Sequence, residues 1–252
     1  MELSAVLFDV DGTIAETEEF HRKAFNESFK EFSLNWFWDE AIYKELINVG
    51  GGKERIEYHI NRAWPEMLDI KNLNKYIKSI HDTKNEIYAD LMKENKVIFR
   101  PGILRLIHDL KKNKVKVALV SSASEKNFIS LFKDGLKTDH KKLFDFVAHG
   151  DLTKNKKPSP EIYEWTLEKL RLPSSGCIAI EDSPRGLDSA LKANLKVVIT
   201  PSKLSISEDF TGAKLVVSDL GEENRPFNII KGSAFNHKLI NFKLLSKLNK
   251  LD

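Results

Sequence analysis

Two aspartates and a glycine follow a short apolar run near the start of the chain. The segment AVLFDVDGT, residues 5–13, carries Asp9 and Asp11 with one residue between them. Alternate residues of an extended segment point to the same side, so we expect both carboxylates together where a buried strand ends. Two carboxylates this close repel each other and require a cation, and oxygen ligands beside a phosphate favour Mg²⁺.

An aspartate-rich turn and a calcium-binding loop are the other interpretations of this segment. An EF-hand loop places acidic residues at positions 1, 3 and 5 and glycine at position 6. Here Gly12 follows the second aspartate directly, and a buried strand precedes the first. The calcium loop therefore fits poorly, whereas the plain turn stays open on this segment alone.

Serine and lysine residues mark two later points in the chain where phosphate could bind. Ser121 and Ser122 follow the apolar run 115–120, where a hydroxyl and the following amides could hold phosphate oxygens at a helix N-terminus. Lys157 is followed by a proline just before a predicted helix, which suits a fixed positive charge for phosphate. Each feature alone is also compatible with an ordinary loop.

Two acidic residues leave another buried strand. Glu181 and Asp182 follow the apolar run 177–180. Carboxylates at the end of a buried strand are costly unless they bind something, which favours a metal ligand over an ordinary turn.

The overall composition is that of an ordinary globular protein. The chain has 252 residues, of which 41% are hydrophobic and 31% charged, and its 40 basic and 37 acidic residues nearly cancel. We expect no nucleic-acid partner, because there is no long basic block, and no membrane span, because no apolar run approaches ~18 residues. Cys177 is the single cysteine, which excludes an internal disulfide. The chain reaches its first strand within five residues, so we expect no signal peptide and a cytoplasmic location.

The region after the first strand has helical periodicity only. Apolar residues recur at helical spacing from Phe20 to Phe32, and helical patterns continue to Lys93. No buried-strand pattern occurs between Ile14 and Lys96. The sequence therefore predicts a helical cap domain at residues 15–96.

Strands and helices alternate in the rest of the chain. Predicted strands lie at 115–120, 144–148, 177–180, 197–199 and 215–217, with predicted helices at 103–110, 127–132, 160–170 and 185–193. This order predicts a parallel sheet with right-handed crossovers. The predicted fold is thus α/β, with a Rossmann-like parallel-sheet core at 1–14 and 97–232 and an inserted all-helical cap. Residues 233–252 are expected to form a C-terminal helix packed on the core.

Taken in order, four of these features resemble the motifs of the haloacid dehalogenase-like (HAD) superfamily of phosphoryl-transfer enzymes. They are DVDGT, the strand-terminal Ser121, Lys157 with its proline, and the sequence EDS that begins at Glu181. The resemblance covers nearly the whole chain, with the cap placed as in subfamily I. It implies that Asp9 is a nucleophile that becomes an aspartyl phosphate. It also implies that Asp11 is the general acid for the leaving alcohol and then the base for water.

The same resemblance implies a Mg²⁺ cofactor and its ligands. These are the carboxylates of Asp9 and Asp182, the backbone carbonyl of Asp11, and Glu181 alongside or through water. Ser121, Ser122 and Lys157 would hold the phosphoryl group. The physics is consistent, because an anionic carboxylate attacks an anionic phosphate only where positive charge reduces their repulsion.

Longer segments in the cap and near residue 200 resemble the CbbY-like proteins. The segments are ETEEFHRKAFN, WDEAIYKELINVGGGKER and TPSKLSISEDFTGAKLVVSDLGE. That family dephosphorylates xylulose-1,5-bisphosphate and lies beside the β-phosphoglucomutases. The resemblance implies an Mg²⁺-dependent phosphatase acting on xylulose-1,5-bisphosphate or a similar sugar bisphosphate.

Several cap residues are candidates for binding such a substrate. The glycine turn 50–52 lets the backbone approach a ligand, and Lys53 and Arg55 could grip a second phosphate; a helix–helix turn with solvated charges is the other interpretation. Glu18 and His21 share one helix face and could bind sugar hydroxyls, although an isolated histidine here is more often structural. The predicted substrate-binding residues are Glu18, His21, Tyr43, Gly51, Gly52, Lys53 and Arg55.

Other functions remain open from the sequence. A β-phosphoglucomutase has the same core and nucleophile but returns the phosphoryl group to the sugar, and a phosphonatase would use a cap lysine such as Lys53 for a Schiff base. Haloacid dehalogenase chemistry is disfavoured, because those enzymes lack the second aspartate of the first motif, which is present here as Asp11. A non-catalytic sugar-phosphate sensor would have no use for a paired nucleophile and acid. We expect a small phosphorylated sugar as the partner and a monomeric protein.

Overall fold

The computed structural model describes residues 2–251. Within them, the strands are β1 (Ala5–Phe8), β2 (Lys116–Val120), β3 (Phe146–Ala148), β4 (Cys177–Glu181), β5 (Lys196–Ile199), β6 (Leu215–Val217) and β7 (Ile229–Gly232). They form one sheet in the order β3-β2-β1-β4-β5-β6-β7. All pairings are parallel except that of β6 with β7, which is antiparallel.

Ten α-helices lie within residues 2–251, and the first four form the insertion that follows β1. The first four are α1 (Glu18–Glu31), α2 (Glu40–Leu46), α3 (Gly52–Ala63) and α4 (Leu73–Glu94). The others are α5 (Ile103–Lys112), α6 (Glu125–Ser130), α7 (His140–Leu143), α8 (Glu161–Leu170), α9 (Pro184–Lys192) and α10 (Phe242–Asn249). Short 3₁₀ turns occur at Pro65–Asp69, Gly150–Leu152 and Ser174–Gly176, and a π-helical turn at Leu131–Gly135.

Both faces of the sheet are covered by helices, which explains the continuous apolar runs of its central strands. Alternate residues of β1 face opposite sides. Val6 and Phe8 pack in the cluster that includes α5 and α10, whereas Ala5 and Leu7 pack in the cluster that includes α8 and α9. Every residue of β1 is fully buried.

The four-helix insertion has an aromatic core of its own. Phe25, Phe29, Trp38 and Tyr43 are buried together with apolar residues of α3 and α4. Residues of α1 and α4 nearest the sheet also pack in the cluster that contains Val6 and Phe8. The predicted fold class, a Rossmann-like parallel-sheet core with an inserted helical cap, is therefore confirmed. None of the helices within residues 2–251 combines the length and the apolar character needed to cross a membrane.

The C-terminal segment differs from the single helix predicted at 233–252. Helix α10 begins only at Phe242, where the Asn241 side chain accepts a hydrogen bond from the Leu244 amide and caps the first turn. Phe235 and Asn236 have positive φ values, which interrupt any helix at that point. The apolar stripe of α10 does pack on the core.

Strand β7 was not predicted from the sequence. All four of its residues, Ile229–Gly232, are exposed, so they lack the buried apolar pattern that predicts a strand. The strand exists because β6 offers it an unpaired edge. The predicted helix at 127–132 begins earlier, at Glu125, and changes into the π-helical turn at Leu131.

Candidate active site

The carboxyl ends of β1, β2 and β4 meet beneath the cap, and one pocket lies between them. Its lining includes Asp9 after β1, Ser121 after β2 and Asp182 after β4, with cap residues opposite. Parallel strands end at the same edge of a sheet, which is where open α/β folds bind their ligands. The structure therefore brings the four motifs to one place.

A buried lysine links the first and fourth motifs. Lys157 Nζ lies 2.7 Å from Asp9 Oδ1 and 2.6 Å from Glu181 Oε1, and it donates a third bond to the Val120 carbonyl at 2.8 Å. Burial lowers the pKa of Lys157, but the two carboxylates outweigh burial and raise it. Lys157 is thus a cation fixed by two anions beside Asp9, as a phosphate-binding charge requires.

Three buried carboxylates form a candidate metal centre. Asp9, Glu181 and Asp182 each offer an oxygen atom, and these atoms lie within 4.8 Å of one another. Burial and the charge of Glu181 raise the pKa of Asp9 well above its ordinary value and that of Asp182 to about 7. Glu181 Oε2 is buried without a hydrogen-bond partner. A crowded set of oxygen ligands with an unpartnered atom and excess negative charge fits a hard divalent cation such as Mg²⁺.

Gly12 allows the first motif to approach this carboxylate cluster. Its φ angle is +83°, and a Cβ at this position would collide with Asp182 Oδ2. Only glycine combines that backbone conformation with the absence of a side chain. Glycine is thus required at this position of DVDGT, because the first and fourth motifs lie too close together for a side chain.

The Asp11 carboxylate does not point toward Lys157 and the acidic cluster. Its Oδ1 accepts hydrogen bonds from Thr17 Oγ1 at 2.5 Å and His21 Nε2 at 3.2 Å, both from the start of the cap. Burial opposes ionisation of Asp11, but His21 and Thr17 outweigh it and lower its pKa to about 2. The pair predicted at the end of β1 therefore consists of two carboxylates with separate partners. Asp9 faces Lys157, and Asp11 faces the cap.

The cap contributes a second polar cluster to the pocket. Tyr43 OH donates to Glu18 Oε2 at 2.7 Å, Arg55 Nη1 donates to Tyr43 OH at 3.0 Å, and Arg55 Nη1 lies 3.7 Å from Glu18 Oε2. Arg55 is 7% exposed and Tyr43 1%, so this is a built site and not a solvated surface. The predicted Glu18, Tyr43 and Arg55 are brought together by α1, α2 and α3.

The glycine turn and the serines complete the pocket. Gly51, Gly52 and the exposed Lys53 line it, as do Ser121 and Ser122. A Cβ on Gly50 would collide with the Lys157 carbonyl, so the first glycine of the turn is where cap and core backbones touch. Ser121 Oγ accepts from the Ala123 amide at 3.0 Å, and Ser122 Oγ from the Lys157 amide at 3.4 Å.

Three residues around the site, Thr17, Lys84 and Arg185, were not predicted from the sequence. Lys84 is 3% exposed, and its Nζ lies 2.7 Å from His21 Nδ1. A signal for it existed, because Lys84 lies in the buried stripe of α4 between Ile80 and Tyr88 at helical spacing, where an apolar residue is expected. Arg185 had no comparable signal, since its contacts depend on how the cap meets the core.

Comparisons with known proteins agree with this geometry. A family model described as haloacid dehalogenase-like hydrolase matches residues 6–200. Protein CbbY of Cereibacter sphaeroides is 37% identical over 220 residues, which are 87% of this chain and 94% of that protein.

Two solved structures resemble the whole arrangement. A mutant of CbbY from Rhodobacter sphaeroides, in complex with xylulose-(1,5)bisphosphate, is 36% identical with a TM-score of 0.78, covering 86% of this chain and 94% of that one. β-Phosphoglucomutase from Clostridium difficile is 27% identical with a TM-score of 0.69, covering 85% of this chain and 90% of that one. The resemblance to CbbY-like proteins inferred from the motifs is thereby confirmed.

Proposed function

The chain belongs to the haloacid dehalogenase-like hydrolases and is a phosphatase of that family, and we propose that it removes one phosphate from a sugar bisphosphate. The favoured substrate is xylulose-1,5-bisphosphate, which the similar CbbY structure from Rhodobacter sphaeroides holds. The reaction would pass through an aspartyl phosphate on Asp9 and require Mg²⁺.

One observation carries the proposal: the pocket has a cationic feature at each end. At the core end, Lys157 Nζ is bonded to Asp9 Oδ1 at 2.7 Å within the acidic cluster. At the cap end, Arg55 is buried with Tyr43 and Glu18. A substrate with one phosphate at each end of a short polar chain satisfies both, and Glu18, which lines the pocket beside Arg55, is an acceptor for the sugar hydroxyls. His21 also lines the pocket, but both of its ring nitrogens already contact Asp11 and Lys84.

In the first step, an oxygen of the Asp9 carboxylate would attack phosphorus while the bond from phosphorus to the sugar oxygen breaks. Asp11 would donate its proton to the leaving sugar oxygen, since an alkoxide is a poor leaving group near neutral pH. In the second step, Asp11 would take a proton from water as the water attacks phosphorus and the bond to Asp9 breaks. Lys157 orients the nucleophile throughout.

The metal site would be formed by Asp9 and Asp182, with the Asp11 carbonyl and with Glu181 directly or through water. A Mg²⁺ ion bound there supplies positive charge that reduces the repulsion between the carboxylate and the phosphate. Ser121 and Ser122 would bind the non-reacting oxygens of the transferred group.

The protonation state of Asp11 must change during this cycle. With the pKa of Asp11 held at about 2, its carboxylate is ionised at neutral pH and ready to act as the base of the second step. An anionic phosphate arriving beside it raises the pKa, because a like charge disfavours ionisation. Substrate binding would thus itself favour the protonated form needed in the first step.

Phosphate release from a panel of sugar monophosphates and bisphosphates tests the proposal. We expect the highest kcat/KM for xylulose-1,5-bisphosphate or a close analogue, and no release in EDTA. Resemblance to β-phosphoglucomutase makes a mutase the second candidate. Conversion of glucose-1-phosphate to glucose-6-phosphate without net phosphate release would replace the phosphatase with that activity.

A further inference from the structure

Arg185 joins the core to the cap directly above the pocket. It lies in the first turn of α9, three residues after Asp182, and lines the pocket. Its Nη1 donates to the carbonyls of Ile47 and Val49, both at 2.8 Å. These carbonyls follow the end of α2, where a helix leaves acceptors without intrahelical partners. The Arg185 side chain of the core therefore binds the cap turn that leads into the glycines at 50–52.

The guanidinium of Arg185 converges with that of Arg55. Arg55 Nε donates to the same Val49 carbonyl at 3.0 Å. Two positively charged groups, one from each domain, thus meet on a single oxygen atom at the seam. Their mutual repulsion is reduced only by groups that bring negative charge to the same place.

Arg185 lacks the counter-ion that Arg55 has. Arg55 lies 3.7 Å from Glu18, whereas no carboxylate of residues 2–251 forms an ion pair with Arg185. Arg185 Nε is buried and has no hydrogen-bond partner. Buried charges and buried donors are normally paired, so this group has both charge and hydrogen-bonding capacity left for an anion in the pocket.

We propose that Arg185 is a specificity-determining residue that binds, together with Arg55, the phosphate remote from Asp9. The inference rests on the proposed function and adds a core residue to a site otherwise built by the cap. A planar guanidinium can present two parallel donors to phosphate oxygens. A phosphate held jointly by Arg185 and Arg55 would also tie the cap to the core, because its two ligands come from different domains.

Replacement of Arg185 by methionine removes the charge and keeps much of the side-chain length. We expect Arg185→Met to lose about ten- to a hundredfold in kcat/KM for xylulose-1,5-bisphosphate, the range for one charge-assisted contact, and less than about threefold for p-nitrophenyl phosphate. Arg185→Lys should recover part of the loss, since lysine restores the charge but not the two parallel donors of the guanidinium.

Lys44→Met is the matched control. Lys44 is an exposed cap residue whose Nζ bonds Ser207 Oγ of the core at 3.2 Å, so it crosses the same seam outside the pocket. We expect neither substrate to be affected. Equal losses on both substrates for Arg185→Met, or no loss on either, would overturn the inference, because Arg185 would then only hold the cap or do nothing for binding.

Calorimetric binding separates this inference from the catalytic proposal. Xylulose-1,5-bisphosphate and xylulose-5-phosphate are titrated into the Mg²⁺-loaded Asp9→Asn protein with and without Arg185→Met. We expect the advantage of the bisphosphate over the monophosphate to shrink by about tenfold or more. An unchanged advantage overturns the role of Arg185 and leaves the phosphatase intact. If the Asp9→Asn protein that retains Arg185 binds both ligands equally, the proposal that the substrate is a bisphosphate is overturned as well.

Discussion

Lys84 Nζ lies 2.7 Å from His21 Nδ1, and this buried contact fixes the proton positions around Asp11. In its charged form Lys84 has donors only, so Nδ1 then accepts and the ring proton sits on Nε2. Nε2 then donates to Asp11 Oδ1 at 3.2 Å. Lys84 therefore acts on Asp11 through His21, which is further held by stacking on Tyr88 at 4.2 Å between ring centroids.

The buried ammonium of Lys84 should make stability depend on pH. Burial, and then the charge of Arg55, lower the pKa of Lys84 in the folded protein to about 7. Above pH 7 the unfolded chain binds more protons at Lys84 than the folded protein does. The stability penalty for burying the charged ammonium is therefore fully present below pH 7, and it is relieved as the pH rises. Lys84→Met has no such penalty. From pH 6 to pH 9, its free energy of unfolding should fall by roughly 2–3 kcal/mol relative to the unsubstituted protein.

Urea denaturation at pH 6, 7.5 and 9 measures this difference. Lys78→Met is the control, because Lys78 lies on the same helix but is exposed and paired with the exposed Asp82. Its effect on stability should not vary with pH over this range. A Lys84→Met effect that is also independent of pH would show that Lys84 keeps its charge throughout.

Asp9→Asn should abolish phosphatase activity while the protein stays folded. The amide has nearly the shape of the carboxylate but cannot attack phosphorus, and losses on removing a nucleophile exceed about a hundredfold. The substitution also removes one charge from a crowded acidic cluster, so we expect an unchanged or higher melting temperature. Initial rates and thermal melts check both points. Asp188→Asn, at an exposed position of α9, should keep full activity. More than about a hundredth of the activity in Asp9→Asn would contradict the covalent mechanism.

Removal of divalent metal should silence the enzyme, and Mg²⁺ should restore it. A bound cation would neutralise Asp9 and Asp182, whose raised pKa values reflect burial and the nearby Glu181. Because a ligand that binds only the folded state stabilises it, Mg²⁺ should also raise the melting temperature. That rise should disappear in Asp182→Asn. Full activity in EDTA, or an equal rise in Asp182→Asn, would argue against this metal site.

The core strands were predictable because their local pattern is decisive. Strands buried on both faces read as continuous apolar runs, and polar residues that follow such runs must lie at the edge of the sheet. This local pattern alone predicts that Asp9, Ser121 and Asp182 lie close together. The side chain of Asp11 was harder to place, because its orientation toward His21 depends on a helix of the cap and not on the alternation along β1.

Residues whose environment comes from distant elements could not be found in this way. Arg185 reads as a solvated helix residue, and only the cap turn at Ile47 and Val49 gives it partners. Strand β7 and the loop before α10 likewise have no local signal, since tertiary pairing with β6 and positive φ angles determine them. Lys84 is intermediate, because the apolar stripe of α4 marks its position as buried but not what it contacts.

The two cations of the GGGKER turn should contribute unequally to the binding of a second phosphate. Arg55 is buried, so a phosphate contact there is worth about ten- to a hundredfold in kcat/KM. Lys53 is exposed, and exposed ion pairs contribute at most about 1 kcal/mol, or roughly fivefold. We therefore expect a large loss for Arg55→Met and a small one for Lys53→Met on xylulose-1,5-bisphosphate. Both variants should retain their activity on p-nitrophenyl phosphate, which has no second phosphate.

Arg62→Met is the control on the same helix, because Arg62 is exposed and pairs with Glu45 away from the pocket. It should leave kcat/KM unchanged for both substrates. If Arg55→Met lowers kcat/KM equally for the bisphosphate and for p-nitrophenyl phosphate, Arg55 supports the cap and does not recognise the second phosphate. If Lys53→Met causes the larger selective loss, the remote phosphate binds at the exposed side of the glycine turn, near Lys53, and not at the buried cluster of Glu18, Tyr43 and Arg55.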